Sequence, residues 1–315
     1  MSAVSPAEDE RNGDDMPRQR TVSVPAEGGI SLDGVLYVPE GEGPHPAVTM
    51  AHGFGGTFEQ GLRPFAELFA ARGFAVLLHD HRGFGRSGGE PRHDVDPWRQ
   101  IADWRRVISF LEAQPEVDGE RIGLWGTSYA GGHALVLGAT DRRLRAVVAQ
   151  VPTISGYEQG LRRVPPDEVA AVEEVFAEDE RAQARGDAPR RQKIVSDDPD
   201  EPASYHMPDA VGFYLAERPG NVWRNEITVR SNRAARMYEP GVWAPRVSPT
   251  PLLMVVAGKD TVTLTDQALA AYERALEPKR LVLVPGGHFD AYTRGFDLAG
   301  GAAADWFETH LKHVP

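Results

Sequence analysis

The stretch from Arg121 to Leu135, RIGLWGTSYAGGHAL, constrains the fold of this chain more than any other. The apolar run Ile122-Gly123-Leu124-Trp125 suits a buried strand, and the Ala and Leu residues after the glycines suit a helix. The Gly-Thr-Ser-Tyr-Ala-Gly-Gly segment between them must turn sharply, which puts Ser128 at the apex of a strand, turn and helix. A serine there takes a strained backbone conformation, and its hydroxyl projects above the sheet. The residues two before and two after it crowd each other, so both must be small. They are Gly126 and Ala130. Ala130 departs mildly from the commoner G-x-S-x-G, and Gly131 follows it at once. A glycine-rich turn whose serine merely caps the helix is the competing reading, because short motifs recur by chance. The rest of the chain must therefore supply a base, an acid and an oxyanion hole.

The 315 residues fit one large α/β domain with an insertion, or two domains of ordinary size. A formal net charge of −12 argues against nucleic acid as a partner, since phosphate binding needs a basic face. No apolar run approaches the length of a membrane span, so no membrane partner is expected. The absence of cysteine removes disulfides, thiolate metal sites and cysteine nucleophiles together. Residues 1–20 are polar and charged without a signal-peptide core, which predicts a disordered lead-in and a cytoplasmic protein.

Thr21 to Pro39 alternates apolar and polar residues around Glu27-Gly28-Gly29, a hairpin pattern. His45 to His52 is short and apolar enough for a buried strand, and it ends in the glycine-rich loop His52-Gly53-Phe54-Gly55-Gly56. Glu59 to Arg72 reads as an amphipathic helix with Leu62, Phe65, Leu68 and Phe69 on one stripe. Phe74 to His79 is the next strand, followed by a loop from Asp80 to Gly89. Val95 to Gln114 is the clearest helix, with Ile101, Trp104, Ile108 and Leu111 at helical spacing. After the elbow helix, Leu144 to Val151 is again strand-like. The rhythm then breaks from Pro152 to Ser248. It resumes with a strand from Pro251, a helix near Thr265 to Leu276, a strand at Arg280 to Val284 and a closing helix from Phe296 to Leu311. Two blocks of strand–helix alternation around a different segment predict a mostly parallel α/β sheet flanked by helices. Its core is residues 21–151 and 249–315, with an insertion at 152–248.

Ser128 needs a base to take its proton, and the base needs a carboxylate to hold its tautomer. In a parallel sheet such groups sit on loops at the carboxyl ends of strands. PLLMVVAGKD places Asp260 just beyond one late strand, and RLVLVPGGH places His288 just beyond the next. The order Ser128, Asp260, His288 is the one an α/β-hydrolase requires. Rival residues fit less well. His133 lies inside the elbow helix, His206 lies in the insertion, and Asp290 is too near His288 to come from a separate strand end. Asp80 reads as an anchor for its own turn, while Thr263 and Thr265 are the nearer candidates to cap the following helix. The oxyanion would be held by two backbone N–H groups: that of Tyr129, and one from the HGFGG loop, with Phe54 preferred and Gly53 the fallback.

At this point the sequence resembles the α/β-hydrolase superfamily over nearly all of Thr21 to Pro315. The resemblance is carried by His52 through Gly56, Asp80 through Gly89, Gly126 through Gly131, Gly258-Lys259-Asp260 and Gly287-His288. The chain looks like the bacterial branch of dienelactone-hydrolase-like and acetyl-xylan-esterase-like enzymes. Its GTSYAG turn is also similar to the elbow of the X-Pro dipeptidyl-peptidase and cocaine-esterase family. Those enzymes carry a C-terminal β-sandwich for which a chain closing on a helix leaves no room, so peptidase activity is expected to be the minor alternative.

The resemblance implies a helical cap at the insertion. Its aromatic and histidine residues, Tyr157, Tyr205, His206, Tyr214 and Trp223 first, with Phe213, Tyr238 and Trp243, are candidates to line the pocket. The expected activity is hydrolysis of a carboxylic ester of a small-molecule acyl substrate through an acyl-enzyme on Ser128. No cofactor and no metal is implied. Thioester, amide or carbon–carbon hydrolysis and acyl transfer use the same triad. A non-hydrolytic tailoring or ligand-binding protein on the same fold is the remaining class.

Overall fold

A computed structural model gives the structure of this chain and describes residues 17–218, 220 and 222–312. The chain enters through an antiparallel hairpin, β1 (Arg18–Pro25) and β2 (Ser31–Val38). Gly28 and Gly29 make the turn at φ 83° and 72°, a conformation costly for residues with a side chain. Arg18, Gln19 and Arg20 fall inside the stretch expected to be disordered, yet they pair with Val38, Tyr37 and Leu36. An edge strand is held by main-chain bonds, so its polar side chains gave no sign of it. The rest of that lead-in, residues 1–16, lies outside the described residues.

Strands and helices then alternate: β3 (His45–Ala51), α1 (Arg63–Ala71), β4 (Ala75–His79), α2 (Pro97–Glu112), β5 (Val117–Thr127), α3 (Tyr129–Thr140) and β6 (Leu144–Gln150). Helix α1 begins four residues later than its hydrophobic stripe implied. Gly61 at φ 85° breaks the backbone there, and Pro64 in the first turn starts the helix. Asp96 caps α2 by accepting from the N–H groups of Trp98 and Arg99.

The insertion follows as α4 (Gly156–Arg163), α5 (Val169–Ala184), β7 (Arg191–Val195), β8 (Ala203–Tyr205), α6 (Pro208–Leu215), β9 (Ile227–Thr228) and α7 (Val229–Arg236). The core resumes with β10 (Leu252–Ala257), α8 (Thr265–Arg274), β11 (Lys279–Val284) and α9 (Phe296–Phe307).

Among the described residues, eight strands form one sheet in the order β1-β2-β4-β3-β5-β6-β10-β11, parallel from β4 onward. Alternate residues of each central strand face opposite sides, and both sides are covered. Val48, Met50, Trp125 and Val255 pack with Phe65, Phe69 and Phe307 of α1 and α9. Ala47, Leu124, Val147 and Met254 pack with Trp104, Ile108 and Leu135 of α2 and α3. Trp306, Phe307 and Leu311 of the closing segment are all buried, as its spacing predicts.

The insertion contains helices and, in addition, a three-stranded sheet in the order β8-β7-β9. It is stitched to the loop after β4. The Thr228 N–H donates to the His93 carbonyl at 2.9 Å, the Val95 N–H to Ser231 Oγ at 2.8 Å, and Arg230 Nε to Asp94 at 2.8 Å. Among the described residues, no helix is long and apolar enough to cross a membrane.

Candidate active site

Strand β5 and helix α3 meet at Ser128, whose φ of 57° and ψ of −118° give the strained turn its sequence implied. Close packing explains the small residues around it. A Cβ on Gly126 would lie 2.1 Å from the Ala130 carbonyl oxygen, and one on Gly131 would lie 2.8 Å from Pro152 Cα. Position 130 contributes its backbone to that crowding, so alanine is accepted where glycine is common. The serine is tied to the next strand by its own N–H to the Gln150 carbonyl at 2.8 Å.

The structure brings Ser128, His288 and Asp260 together from three strand ends. His288 Nε2 lies 3.0 Å from Ser128 Oγ, and His288 Nδ1 lies 2.8 Å from Asp260 Oδ2. The carboxylate can only accept, so Nδ1 carries the proton and the lone pair on Nε2 faces the serine hydroxyl. Asp260 Oδ1 accepts from the N–H groups of Val262 and Thr263, each at 2.8 Å, and Thr263 Oγ1 reaches Oδ2 at 2.8 Å. Burial alone would push the Asp260 carboxyl up. The facing His288 and the bonds from His288 and Thr263 outweigh it and hold the carboxyl at about 2. Thr263 was expected as a helix cap; its hydroxyl serves the carboxylate, and Thr265 Oγ1 ties the Asp260 N–H to the Ala257 carbonyl. The strain continues around the site, with Val151 at φ 37° and Leu264 at φ 70°.

The HGFGG loop lies against the serine. A Cβ on Gly53 would stand 2.8 Å from Ser128 Cβ, so only glycine fits there without displacement. The N–H groups of Phe54 and Tyr129 have no hydrogen-bond partner among the described residues. Several groups hold the loop from behind. His52 Nδ1 donates to the Gly53 carbonyl at 2.9 Å, while Nε2 accepts from the His81 N–H at 3.1 Å. Burial drives this imidazole down to about 4, and a second proton would cost the bond from His81. Asp80 does more than anchor its own turn. Its Oδ1 accepts from the Phe58 N–H at 2.7 Å, which braces the far end of the HGFGG loop, and burial pushes its carboxyl up to about 8.

A cavity of about 420 Å³ opens beside Ser128, within the range that encloses small organic ligands. Of the five insertion residues first expected to line it, Tyr205 and His206 do. Tyr157 points away on the outer face of α4, 58% exposed. Tyr214 and Trp223 are spent on the loop: the Tyr214 hydroxyl donates to the Phe54 carbonyl at 2.7 Å, and the Trp223 indole donates to the Gly55 carbonyl at 2.8 Å. Of the further aromatics, Phe213 packs on Phe289, Tyr238 is buried beside Tyr129, and Trp243 lies against the core. Gln159, Arg163, Asn232 and Arg236 line the cavity without having been expected to. Gly156, Gln159, Gly160 and Arg163 recur at helical spacing, and that stripe was the available signal. Among the described residues, no group of His, Asp or Glu has the arrangement of a metal site.

Comparison with known proteins places this geometry in context. The sequence model of the X-Pro dipeptidyl-peptidase (S15 family) matches residues 28–290. A quorum-quenching protein AidA from Acinetobacter baumannii is 32% identical over 266 residues, covering 84% of this chain and 86% of that protein. A thiohydrolase aneE from Aspergillus aculeatus is 32% identical, covering 80% of each chain. A polyketide transferase grgF from a Penicillium species is 30% identical, covering 90% of this chain and 94% of that one. The crystal structure of the α/β hydrolase GrgF from Penicillium superposes with a TM-score of 0.81 at 27% identity, covering 93% of this chain and 99% of the other.

Proposed function

This chain belongs to the X-Pro dipeptidyl-peptidase (S15) family of α/β-hydrolases, and on that footing we propose that it cleaves an acyl bond of a small molecule through a covalent intermediate on Ser128. The observation that carries the reading is the 3.0 Å contact between Ser128 Oγ and His288 Nε2, backed by Asp260 at 2.8 Å. Ser128 Oγ attacks the substrate carbonyl carbon as His288 Nε2 takes its proton. The developing oxyanion is held by the N–H groups of Tyr129 and Phe54. The tetrahedral carbon collapses, the leaving group departs with the proton from His288, and the acyl group stays on Ser128. Water then gives a proton to His288 and attacks the acyl carbon, releasing the acid and restoring Ser128. The ionised Asp260 stabilises the imidazolium at both stages.

The bond is a carboxylic ester or a thioester. Both present the same carbonyl to Ser128, and a relative with 32% identity is a thiohydrolase. Acyl transfer is the second reading, favoured by the likeness to a polyketide transferase, and it differs only in the nucleophile that takes the acyl group from Ser128. Cleavage of X-Pro dipeptides fits less well. A dipeptidyl-peptidase must hold a protonated amino terminus, whereas the charged side chains lining the cavity are four arginines, Arg163, Arg190, Arg191 and Arg236, against Glu168, with His206 beside them.

A fluorophosphonate probe and a p-nitrophenyl acyl ester test the proposal. Ser128 takes the label, and Ser128→Ala abolishes labelling and lowers kcat/KM by about 10⁴ or more. Full labelling and full activity in Ser128→Ala would end it.

A further inference from the structure

Two of the helices that close the cavity turn polar faces inward. On α4, Gln159 and Arg163 line it, one turn apart; on α7, Asn232 and Arg236 do the same. The inward face of a helix is ordinarily apolar. Helix α5 follows that rule with Val172, Val175 and Phe176. The space beside Ser128 therefore has a hydrocarbon wall and a hydrogen-bonding wall.

Among the described residues, the hydrogen-bonding wall and the adjoining Tyr129 hold buried polar atoms without partners. Tyr129 is 4% exposed and Gln159 is 7% exposed, and neither the Tyr129 hydroxyl nor Gln159 Nε2 meets a partner among the described residues. Asn232 Oδ1 accepts from Ser204 Oγ at 2.8 Å, and Asn232 Nδ2 is left without one. Folded chains pair nearly all such groups, because each lost its water on burial. Two of the neighbouring cations have contacts of their own. Arg163 Nη2 donates to the Val262 carbonyl at 2.6 Å and its guanidinium lies over the Tyr205 ring, while Arg236 faces Glu173 at 3.2 Å. The unspent hydrogen-bonding capacity is thus a phenol, two amides and Arg236 Nη1, each able to meet a carbonyl or a hydroxyl oxygen.

We propose that the acyl group this cavity selects is an oxygenated chain, with hydrocarbon along α5 and hydroxyl or carbonyl oxygens met by Tyr129 Oη and the side-chain amides of Gln159 and Asn232. This deepens, and rests on, the reading of Ser128 as the acylated nucleophile. A site built to hydrogen-bond a substrate oxygen discriminates strongly against the analogue that lacks it.

The test compares N-acetylcysteamine thioesters of hexanoate with hydroxy and oxo derivatives bearing the oxygen at successive carbons. With the wild-type chain, at least one oxygenated ester has a kcat/KM about tenfold above plain hexanoyl, and Gln159→Leu or Asn232→Leu brings that ratio to near one. A plain chain matched or preferred over every derivative, or a ratio unmoved in both variants, overturns the proposal. Calorimetric titration of Ser128→Ala with the corresponding carboxamides gives a readout independent of turnover. Binding of an oxygenated amide about tenfold tighter than hexanamide supports the assignment, and equal affinities overturn it. Absence of turnover and of Ser128 labelling would instead count against the nucleophile, and the titration would still decide the cavity.

Discussion

The strand ends that carry Ser128, Asp260 and His288 and the cavity wall built by α4 and α7 meet at one point, and they treat polar groups in opposite ways. At the strand ends the buried carboxylate is saturated: Asp260 accepts from Val262, Thr263 and His288, and the imidazole is bonded at both nitrogens. Around the cavity, Gln159 of α4, Asn232 of α7 and the neighbouring Tyr129 of α3 keep buried atoms without partners among the described residues. The first arrangement fixes a geometry before any ligand arrives, which is what proton transfer needs. The second leaves hydrogen-bonding capacity for something that enters. On the proposed reading, reaction type rests on the strand ends, and substrate choice rests on the insertion together with Tyr129.

Breaking the saturated side has the largest expected effect. Asp260→Asn can no longer hold Nδ1–H, so the imidazole adopts the wrong tautomer and kcat falls by about 10⁴. Steady-state kinetics with a thermal midpoint near that of the wild type checks this; a loss below tenfold would show that His288 is oriented by something else. Gly53→Ala comes next. Its methyl would lie 2.8 Å from Ser128 Cβ, so the loop or the serine must shift. Positional errors of that kind cost about 10²-fold in kcat, and an unchanged kcat would remove the loop from the oxyanion site.

Below the loop, the buried histidines make stability depend on acid. Burial holds His52 at about 4 and His79 and His133 at about 3, whereas each titrates near 6.5 in the unfolded chain. Burial also lowers His81 well below its ordinary value, so between those limits the unfolded state binds up to four more protons than the folded one, and stability falls as pH falls. Asp80, raised to about 8 by burial, keeps its proton when folded and releases it when unfolded, which offsets one. The balance is a loss of about 4 kcal/mol per pH unit below pH about 6. Urea unfolding at pH 7 and at pH 5 checks the slope, and equal midpoints would contradict it. The smallest effect belongs to Tyr157→Ala, which leaves stability within about 0.5 kcal/mol and kcat/KM within about twofold, because its exposed ring faces away from the cavity. A large loss there would move the substrate wall to the outer face of α4.

How much of this was legible in the sequence follows the same division. Ser128, Asp260 and His288 could be placed because each sits next to a short apolar strand, and parallel topology gathers strand ends on one side. The crowding that requires Gly126 was legible for the same local reason. The insertion follows no such rule. As aromatics of the insertion, Tyr214 and Trp223 read as pocket residues, yet their polar atoms are spent on the Phe54 and Gly55 carbonyls. Taken singly, Gln159 and Asn232 carry no signal in the sequence, because an amide on a helix is ordinarily a solvated one. Only the tertiary packing of α4 on α7 reveals that these two face inward. The strand beginning at Arg18 was hidden by its charged side chains, since a hairpin edge is held by its backbone.

The most direct test of the central claim is peptide mass spectrometry of the chain quenched during turnover of a slowly deacylated ester. The account predicts that the peptide containing Ser128 gains the mass of the acyl group, and that the adduct is absent in Ser128→Ala. Turnover with no acyl adduct on Ser128, or an adduct on another residue, would contradict it.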